Sequence, residues 1–436
     1  MRTKAEIDNN EWFGEVPDSW RMVPLSRLFM SSKGMTVTRA DLVDEGAPVV
    51  NYAQVHSKLN NRFGIHAELI KHVPTGMVPK GLKYSGKGSF IFACTSEDLA
   101  GCGDCIYNDS EQPVNPGGDT LLLSPVDGVE NKYLAYLFST DMWRWQIRRD
   151  LVDVKVFHVN QGNLHETYVT VPPYDVQRRI VSYLDERCAA IDEDVAKRRE
   201  VIAKLKEYKK SLIARVVTKG LDPTAETKDS DIKWVDQIPS NWQTSKLKAL
   251  FQITKRIAGV EGLTVLSITQ DGIRPKDFST GKGQFAETYS HYQLVHPGDF
   301  AMNHMDLLTG WVDISRYEGV TSPDYRVFSV RDLAVSNPSY YLCLFQMCYL
   351  NRVFFGSANG VADKGRMRLQ TNAFNNFVVP LPPLEEQKRI AAYLDERCAA
   401  IDEAISRQEQ LIEKLGEYRK SVIHHAVTGK IDCTEA

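Results

Sequence analysis

The sequence predicts an α+β protein with a pseudo-twofold internal repeat, in which two mixed α/β domains are joined by two long helices packed as an antiparallel coiled coil. Three observations support this prediction. A segment of about 50 residues occurs twice in the 436-residue chain. Its apolar residues recur at helical spacing. The regions outside the two copies contain short strand-like runs broken by turn residues.

The duplicated segment covers residues 172–222 and 382–432, which align without a gap at an offset of 382 − 172 = 210 and are identical at about half of their positions. A shorter repeat begins each half of the chain, where the residues from Trp12 and from Trp234 share the pattern Trp-x4-Pro-x2-Trp-x4-Leu-x2-Leu-Phe. We therefore predict a first mixed domain at 1–171, a first helix at 172–222, a second mixed domain at 223–381 and a second helix at 382–436.

The duplicated segments have the apolar spacing of a coiled-coil seam, with steps of three, four and one of seven. The seam positions are Leu184, Cys188, Ile191, Val195, Ile202 and Leu205, repeated as Leu394, Cys398, Ile401, Ile405, Ile412 and Leu415. The seven-residue step passes over Arg198 in one copy and Gln408 in the other. Polar residues in a seam favour a specified pairing, so we expect the two copies to pair with each other as rods of about 60 Å.

The mixed domains are predicted from short apolar runs. "APVVNYAQV", "GSFIFACT", "TLLLSPV", "GLTVLSITQ" and "YRVFSVRDL" have the composition of strands, whereas "NKYLAYLFSTDMWRWQIRRDL" and "PSYYLCLFQMCYLNRVFF" are typical of helices. Gly, Pro, Asn and Asp separate these runs and predict turns.

Composition excludes several classes of protein. A net charge of −3 argues against nonspecific polyanion binding by the whole surface, although a basic face remains compatible with it. The sequence shows no signal peptide and no membrane-spanning segment, so we expect a cytoplasmic location. The eight cysteines are scattered, which favours reduced thiols over disulfides. Cys102 and Cys105 lack a second pair at zinc-ribbon spacing, which favours a Gly-rich turn over a metal site.

The Pro-Pro-Tyr sequence at 172–174 resembles the core of the Asn/Asp-Pro-Pro-Tyr motif of amino-methyltransferases. That motif needs a polar side chain before the prolines to bind the target amine, but Val171 stands there. The second copy reads Leu-Pro-Pro-Leu at 381–384 and lacks the aromatic residue. We therefore predict that the prolines stiffen the start of a helix.

Other catalytic patterns are also missing from the sequence. There is no phosphate-binding Gly-x4-Gly-Lys-Ser/Thr loop, and His66 and His72 do not have the spacing of a metalloprotease pair. His165-Glu166 occurs without a second histidine. We predict no catalytic residue and no metal site, and hence a protein that recognises or organises other molecules.

The duplicated residues carry a family resemblance. Two copies of Pro-Pro-x3-Gln-x2-Ile-x3-Leu-Asp, continuing into Ile-Asp-Glu and Leu-x-Glu-Tyr-Arg/Lys-Lys-Ser, resemble the conserved regions of specificity subunits of type I restriction-modification systems. The resemblance extends over essentially the whole chain, as variable domain, conserved helix, variable domain, conserved helix. The first copy departs from the pattern at Val176, where the second copy has Glu386.

The resemblance implies a noncatalytic subunit in which each mixed domain is a target recognition domain that reads one half of a split double-stranded DNA site. The paired helices would set the spacing of the halves. Two methyltransferase subunits with S-adenosylmethionine, which methylate adenine, and two restriction/translocase subunits with ATP and magnesium would bind around this scaffold. No cofactor is expected on this chain itself, and no membrane is expected as a partner.

Candidate DNA contacts are Arg, Lys, Asn, Gln or His side chains in predicted loops, because such side chains donate to base edges and phosphates. Lys33 and Lys255 occupy equivalent positions, since 255 − 33 = 222 = 234 − 12. For each candidate, a solvated loop residue is the alternative. The candidates are Lys33, Gln54, Lys155, His158, Gln161 and Asn163 in the first half, and Lys255, Arg256, Gln270, Lys364, Arg366, Arg368, Gln370 and Asn372 in the second.

Residues 197–219 hold nine Lys/Arg against two Glu. A solvated helix face, a DNA-phosphate contact and a partner surface all remain open for this run. Two other functions also remain open: a coiled-coil scaffold that assembles proteins without reading DNA, and a lone DNA-binding module of a phage or mobile element that modifies a host enzyme.

Overall fold

The computed structural model describes residues 13–14, 16–126, 128–149, 151, 156–279, 286–356 and 367–433. Contacts divide the chain into two compact units: unit 1 comprises Met1–Lys197 with Gln410–Ala436, and unit 2 comprises Arg198–Glu409. Each unit contains one mixed region and a segment of both long helices. The predicted domain boundaries treat each long helix as a domain of its own and stay a prediction.

The strands of unit 1 are short. They are β1 (Arg21–Pro24), β2 (Phe29–Lys33), β3 (Ala47–Val50), β4 (Lys71–Val73), β5 (Phe90–Ala93), β6 (Thr95–Ser96), β7 (Cys105–Tyr107), β8 (Asn115–Pro116), β9 (Thr120–Pro125), β10 (Phe157–His158) and β11 (Tyr168–Val171). The α-helices that begin in unit 1 are α1 (Tyr52–Val55), α2 (Asn131–Phe138), α3 (Asp141–Arg148), α4 (Gln161–His165) and the long α5 (Tyr174–Lys219). Short 3-10 turns lie at Leu25–Arg27, Arg39–Asp41, Ala67–Leu69 and Thr75–Met77.

The main sheet of unit 1 is antiparallel, with the strand order β2-β9-β5-β7. Its buried face packs on α2 and α3 through aromatic rings: the Phe138 ring lies 5.0 Å from that of Phe90 and 4.3 Å from that of Trp143. A second sheet has the order β4-β3-β8, in which β3 and β8 are parallel. β1 pairs with β11, so the first and last strands of the mixed region lie side by side.

Two predicted elements of unit 1 are interrupted by caps. The run predicted as a strand from Ala47 ends at Val50, because Asn51 and Gln54 form a capping box that begins α1. The helix predicted over 131–151 breaks after Phe138, where the side chain of Thr140 accepts from the backbone of Trp143 and begins α3. Cap residues therefore divided elements that the apolar pattern alone made continuous.

The strands of unit 2 are β12 (Thr227–Ile232), β13 (Val235–Pro239), β14 (Gln243–Lys246), β15 (Phe251–Thr254), β16 (Leu266–Thr269), β17 (Gly272–Pro275), β18 (Gln293–Val295), β19 (Phe300–Met302), β20 (Val312–Ile314), β21 (Gly319–Thr321), β22 (Arg326–Val330) and β23 (Val378–Leu381). Its helices are α6 (Leu247–Leu250), α7 (Pro338–Leu350), α8 (Val353–Gly356), α9 (Thr371–Asn376) and the long α10 (Leu384–Val427), which continues into unit 1.

The main sheet of unit 2 has the order β15-β22-β19-β20 and is antiparallel, which is the topology of the main sheet of unit 1. β14 pairs with β23 as β1 pairs with β11. Phe251, Phe300, Phe328 and Phe345 form the aromatic core beneath the sheet. The added strands differ from those of unit 1, since β12–β13, β16–β17 and β18–β21 are separate two-stranded pairs.

The long helices begin directly after the prolines, as predicted, and contain 46 residues in α5 and 44 in α10. All twelve predicted seam positions are buried or half-buried. In unit 1, Asp192 of α5 pairs with Arg419 of α10, and in unit 2, Lys209 of α5 pairs with Asp402 of α10 at 2.6 Å. Since 402 − 192 = 210 and 419 − 209 = 210, one ion pair occurs twice with the helices exchanged. The predicted antiparallel pairing of the two copies is confirmed.

A buried glutamine near the start of each long helix ties that helix to the mixed region of its unit. Gln177 Nε2 donates to the carbonyl of the first proline of its Pro-Pro pair, and Gln177 Oε1 accepts from the backbone N–H of Glu130, each at 2.8 Å. Gln387 repeats both contacts, with its own proline and with the backbone N–H of Asn337, again at 2.8 Å. Glu130 and Asn337 are the N-caps of α2 and α7, so each glutamine joins two helix N-termini.

The last turns of the long helices are held by tyrosines of the mixed regions. In unit 1 the Tyr133 hydroxyl donates to the carbonyl of Val427 in α10 at 3.3 Å, and in unit 2 the Tyr340 hydroxyl donates to that of Val217 in α5 at 2.8 Å. Val217 and Val427 are equivalent, since 427 − 217 = 210. Each mixed region therefore contacts the start of one long helix and the end of the other.

All eight cysteines are free in the structure, and none is exposed. No helix in the described ranges combines the length and the apolarity required to cross a bilayer.

Candidate nucleic-acid interface

One end of the main sheet in unit 1 gathers several of the candidate residues. β2 ends at the exposed Lys33, and β9 begins beside it, because Gly34 N–H donates to Thr120 O at 2.9 Å. β5 ends at the same level, since Ala93 is the partner of Thr120. The chain turns at this end of the sheet, which we call the loop end, are therefore close to Lys33.

His158 lies at the same end. It pairs with Thr95 just beyond β5, and the next residue, Val159, donates its N–H to Cys94 O at 2.8 Å. Burial first, and the charge of Asp119 second, raise the pKa of the Cys94 thiol to about 11, although the positive charge of Lys33 opposes both. Strand pairing therefore brings Lys33 and His158 to the same loop end, although they are 125 positions apart in the sequence (158 − 33).

The other candidates of unit 1 are partly engaged in local structure. Gln54 Oε1 accepts from Asn51 N–H at 3.1 Å, and Asn163 Oδ1 accepts from Asn160 N–H at 2.8 Å, so both amide oxygens cap short helices. Gln161 is exposed at the start of α4. α1 joins the loop end through Tyr52 N–H, which donates to Gly118 O at 3.2 Å.

A charged cluster lies beside this loop end and escaped the sequence analysis. Asp104, between the two cysteines of the Cys-x-x-Cys pair, accepts from Arg144 and, at 2.9 Å, from Arg62. His56 Nδ1 lies 3.2 Å from Asp104 Oδ2, and its Nε2 lies 2.8 Å from Thr95 O. Both neighbours of the ring are acceptors, an arrangement that favours the imidazolium form of His56, with a proton on each nitrogen.

The cluster has a clear electrostatic order. Burial opposes ionisation of Asp104, but the His56 hydrogen bond and the charges of Arg144 and Arg62 lower its pKa to about 2. The hydrogen bond to Asp104 raises the pKa of His56, against the effect of burial. When His56 is protonated, three cations share one carboxylate and leave a net positive charge beside Thr95 and the loop that holds His158.

Unit 2 places its candidates at the corresponding end of its main sheet. Lys255 is exposed directly after β15, and Gln270 is exposed in the turn between β16 and β17. Arg256 is less free, because its guanidinium pairs with Asp299. The ends of β15 and β19 meet the start of β22, since Thr254 pairs with Val327 and Met302 with Arg326.

Arg368 occupies the position in unit 2 that His158 occupies in unit 1. The offset is 368 − 158 = 210, and the following residue, Leu369, donates to His304 O at 3.0 Å as Val159 does to Cys94 O. Burial first, and the charges of Arg326 and Arg368 second, lower the pKa of His304 to about 3. Each unit therefore presents one exposed side chain, His158 or Arg368, at the same place in its fold.

The remaining candidates divide into described and undescribed residues. Gln370 is the exposed N-cap of α9, and Asn372 Oδ1 accepts from Asn376 at 2.8 Å. Lys155, Lys364 and Arg366 lie outside the described residues. DNA contact by any member of the candidate set stays a prediction.

The basic run in α5 is only partly neutralised. Lys197 and Lys204 each pair with a glutamate of the same helix, and Lys209 pairs with Asp402 of α10. Arg199 and Lys206 are exposed, seven residues apart on one face, and have no charged partner among the described residues.

The long helices also carry repeated exposed apolar residues, which sequence analysis missed. Val201 and Tyr208 are 43% and 50% exposed in unit 2. Their equivalents, Leu411 and Tyr418, are 38% and 54% exposed in unit 1. The seven-residue spacing places each pair on one exposed strip of its helix, and Val201 and Leu411 directly precede the seam residues Ile202 and Ile412. A repeat search of the exposed heptad positions could have found them.

No metal-binding constellation is present in the ranges that the structure describes, since no three His, Cys, Asp or Glu side chains are grouped to hold an ion. Cys102 and Cys105 are both buried. The Cys-x-x-Cys segment includes the turn that presents Asp104 to Arg144, Arg62 and His56.

Comparisons with known proteins agree with this architecture. A family model described as "Type I restriction modification DNA specificity domain" matches residues 17–201 and 239–414. The type I restriction enzyme EcoKI specificity subunit of Escherichia coli (strain K12) is 41% identical over 439 aligned residues, which cover 96% of this chain and 90% of that protein.

Similarity extends to an archaeal protein and to a solved structure. The putative type I restriction enzyme MjaX specificity subunit of Methanocaldococcus jannaschii is 24% identical over 443 aligned residues, covering 98% of this chain and 97% of that protein. A chain from a structure described as the basis of complex assembly and conformational transition of the type I R-M system superposes with a TM-score of 0.69 at 16% identity, covering 96% of this chain and 100% of that chain. At that identity the superposition supports the fold alone.

Proposed function

The chain belongs to the type I restriction modification DNA specificity family, and from this premise we propose that it reads a bipartite double-stranded DNA site, one half with the mixed region of each unit, and has no catalytic activity of its own. The observation that carries this proposal is that the two units share one fold but expose different side chains at equivalent positions. Both units share the main-sheet topology, while the exposed residue at the shared position is His158 in one and Arg368 in the other.

Different side chains on a common frame are what two different half-sites require. An arginine can donate two hydrogen bonds to guanine O6 and N7, whereas a histidine offers a single donor or acceptor to a base edge. Lys33 and Lys255, exposed at equivalent positions beside these residues, are suited to phosphate contact, which positions a protein without selecting sequence. The predicted set of DNA contacts is therefore proposed as two groups, one at each loop end.

The second part of the proposal concerns partners. Val201 with Tyr208, and Leu411 with Tyr418, form two equivalent exposed apolar faces, and exposed apolar faces commonly bind other proteins. Two equal faces suit two copies of one partner, which we propose to be a methyltransferase subunit that carries S-adenosylmethionine and methylates adenine N6. Two restriction/translocase subunits with ATP and magnesium would complete the complex.

The experiment that tests the function is to co-express the full chain with a methyltransferase subunit and map methylated adenines across the host genome. A split motif is expected. Exchanging residues 30–171 for those of another family member should change one half of the motif and leave the other intact. Methylation without sequence preference, or failure to bind any methyltransferase subunit, would contradict the proposal.

A further inference from the structure

Unit 2 contains a surface cleft with a volume of about 710 Å³ at the loop end of its main sheet. Its walls are β16, the chain that follows β19 from Asn303, and the turn from Ser322 to Tyr325 before β22. The same sheet end carries Lys255 and the loop of Arg368. The cleft therefore opens where DNA contact is proposed, although none of its lining residues belongs to the predicted contact set.

The turn that forms one wall is held from beneath by a buried side chain. Gln293 is 2% exposed, and its Nε2 donates to Ser322 O at 2.8 Å and to Tyr325 O at 2.7 Å. Tyr325 N–H also donates to Ser322 O at 3.0 Å. Ordering a surface turn through a buried amide fixes the direction of Asp324 at its tip, which is the property that a recognition residue needs.

Asp324 differs from the other carboxylates of the cleft. Asp306 accepts from Leu308 N–H and from Thr309, and Asp277 accepts from Ser279, so both are occupied in local turns. Asp324 is exposed, and its carboxylate makes no hydrogen bond or ion pair with the residues that the structure describes. Its acceptor oxygens are available to a ligand.

Two tyrosines line the cleft near Asp324. The hydroxyls of Tyr292 and Tyr325 are likewise without hydrogen-bond partners in the described part of the chain. Burial first, and neighbouring groups that include Asp324 second, raise the pKa of both phenols, so they stay neutral donors. The cleft therefore combines an exposed carboxylate that has no partner among the described residues with two aromatic walls.

We propose that Asp324 sets the identity of one base pair in the half-site read by unit 2, by accepting a hydrogen bond from an exocyclic amino group, cytosine N4 or adenine N6, in the major groove. This inference rests on the proposed function. An unpaired carboxylate next to DNA repels phosphates, so its location is favourable only when it meets a donor. The carbonyl oxygens of guanine or thymine at the same place would face the carboxylate without a proton between them and be rejected.

The test uses the full chain co-expressed with a methyltransferase subunit, with genome-wide mapping of methylated adenines. The variants are Asp324→Asn and Asp324→Ala. The matched control is Asp236→Asn, which removes another exposed and unpaired carboxylate of unit 2, in β13. Because Asp324 is exposed and unpaired, neither variant removes an internal contact, and thermal unfolding of each purified chain checks that it folds.

Wild type and the control should give the same split motif. Both Asp324 variants should accept additional bases at one position of one half, with discrimination at that position reduced by about tenfold or more. The base required by wild type there, cytosine or adenine, identifies which amino group is read. An unchanged motif, or a uniform loss of methylation with no change of base preference, overturns the role of Asp324. A wild-type chain that gives no split motif overturns the proposed function instead.

Discussion

Arg198 and Gln408 occupy the same position in the two copies of the repeat, and they contact each other: Arg198 Nη1 donates to Gln408 Oε1 at 3.0 Å. The sequence predicted a specified pairing at these two residues, and the structure confirms it. An antiparallel pair of equivalent helices brings only one repeat position opposite itself. A polar pair at that position marks the register in which the helices meet.

If this polar pair marks the register of the helices without adding stability, apolar replacements at both positions should stabilise the protein. The double variant Arg198→Leu/Gln408→Leu is expected to raise the free energy of unfolding by about 1 kcal/mol, because an apolar seam packs better than a half-buried polar pair. Gln408→Leu alone is expected to lower it by about 1–2 kcal/mol, since Arg198 loses an acceptor. Denaturant unfolding measures both. The exposed neighbours Arg199→Leu/Glu409→Leu serve as the control, and a double variant less stable than Gln408→Leu would contradict the argument.

Each of the buried glutamines Gln177 and Gln387 should contribute more to the free energy of unfolding than an ordinary surface residue does. Gln177→Ala or Gln387→Ala removes two or more buried hydrogen bonds and leaves a helix N-cap backbone N–H without its acceptor, so a loss of about 2–3 kcal/mol is expected. Gln410→Ala, at an exposed position of α10, should cost less than about 0.5 kcal/mol. Equal effects of all three in thermal unfolding would show that the buried contacts contribute nothing special.

The His56 cluster should make the stability of unit 1 depend on pH. The pKa of His56 is raised by Asp104, so its contribution is complete below the unfolded pKa of about 6.5 and is lost as pH rises through the folded value. At the acidic side, Asp104, with a pKa of about 2, loses its contribution as pH falls below about 3.9.

The measurement compares thermal unfolding of wild type and His56→Asn between about pH 5 and pH 9. Wild type should be more stable than His56→Asn at the lower end of this pH range. The difference in stability between the two proteins should shrink as pH increases. His66→Asn, an exposed histidine of the same unit, is the control and should leave the profile unchanged. A stability difference that stays constant across this range would show that folding does not raise the pKa of His56.

The repeated apolar faces should control how many partner subunits bind. Tyr208→Glu and Tyr418→Glu are each expected to reduce the number of bound methyltransferase subunits from two to one, and the double variant should bind none, because a buried charge at an apolar contact costs several kcal/mol. Light scattering of the purified complexes measures the mass. Tyr84→Glu, at a 62% exposed tyrosine of the mixed region, should still bind two. Two bound copies with the double variant would place the partner elsewhere.

Much of the fold could be predicted because local sequence patterns specify it. The seam from Leu184 to Leu205 needs only helical periodicity, and its repetition from Leu394 identifies the partner helix. The strands and helices of the mixed regions were also predictable, but Asn51 and Thr140 interrupt two of the predicted elements. In each case one cap residue outweighs the apolar pattern around it.

The candidate site was less accessible to sequence analysis, because it is assembled by contacts between distant residues. Strand pairing, which no local pattern specifies, brings Lys33 and His158 to the same end of the main sheet. Asp104 and His56 are 48 positions apart, and no sequence pattern links them. Asp324 depends on the buried Gln293 for its orientation, and nothing in the sequence joins these two residues.

The division of the chain into units has a consequence for synthesis on the ribosome. Unit 2 is one continuous stretch, Arg198–Glu409, whereas unit 1 needs both Met1–Lys197 and Gln410–Ala436. The core of unit 1 includes Val422, Ile423, Ala426 and Val427, so the first half of the polypeptide to be translated is the last to complete its core. Until these residues have been synthesised, the apolar side chains that will cover them remain open to chaperones and to aggregation, although every residue of unit 2 has by then been translated.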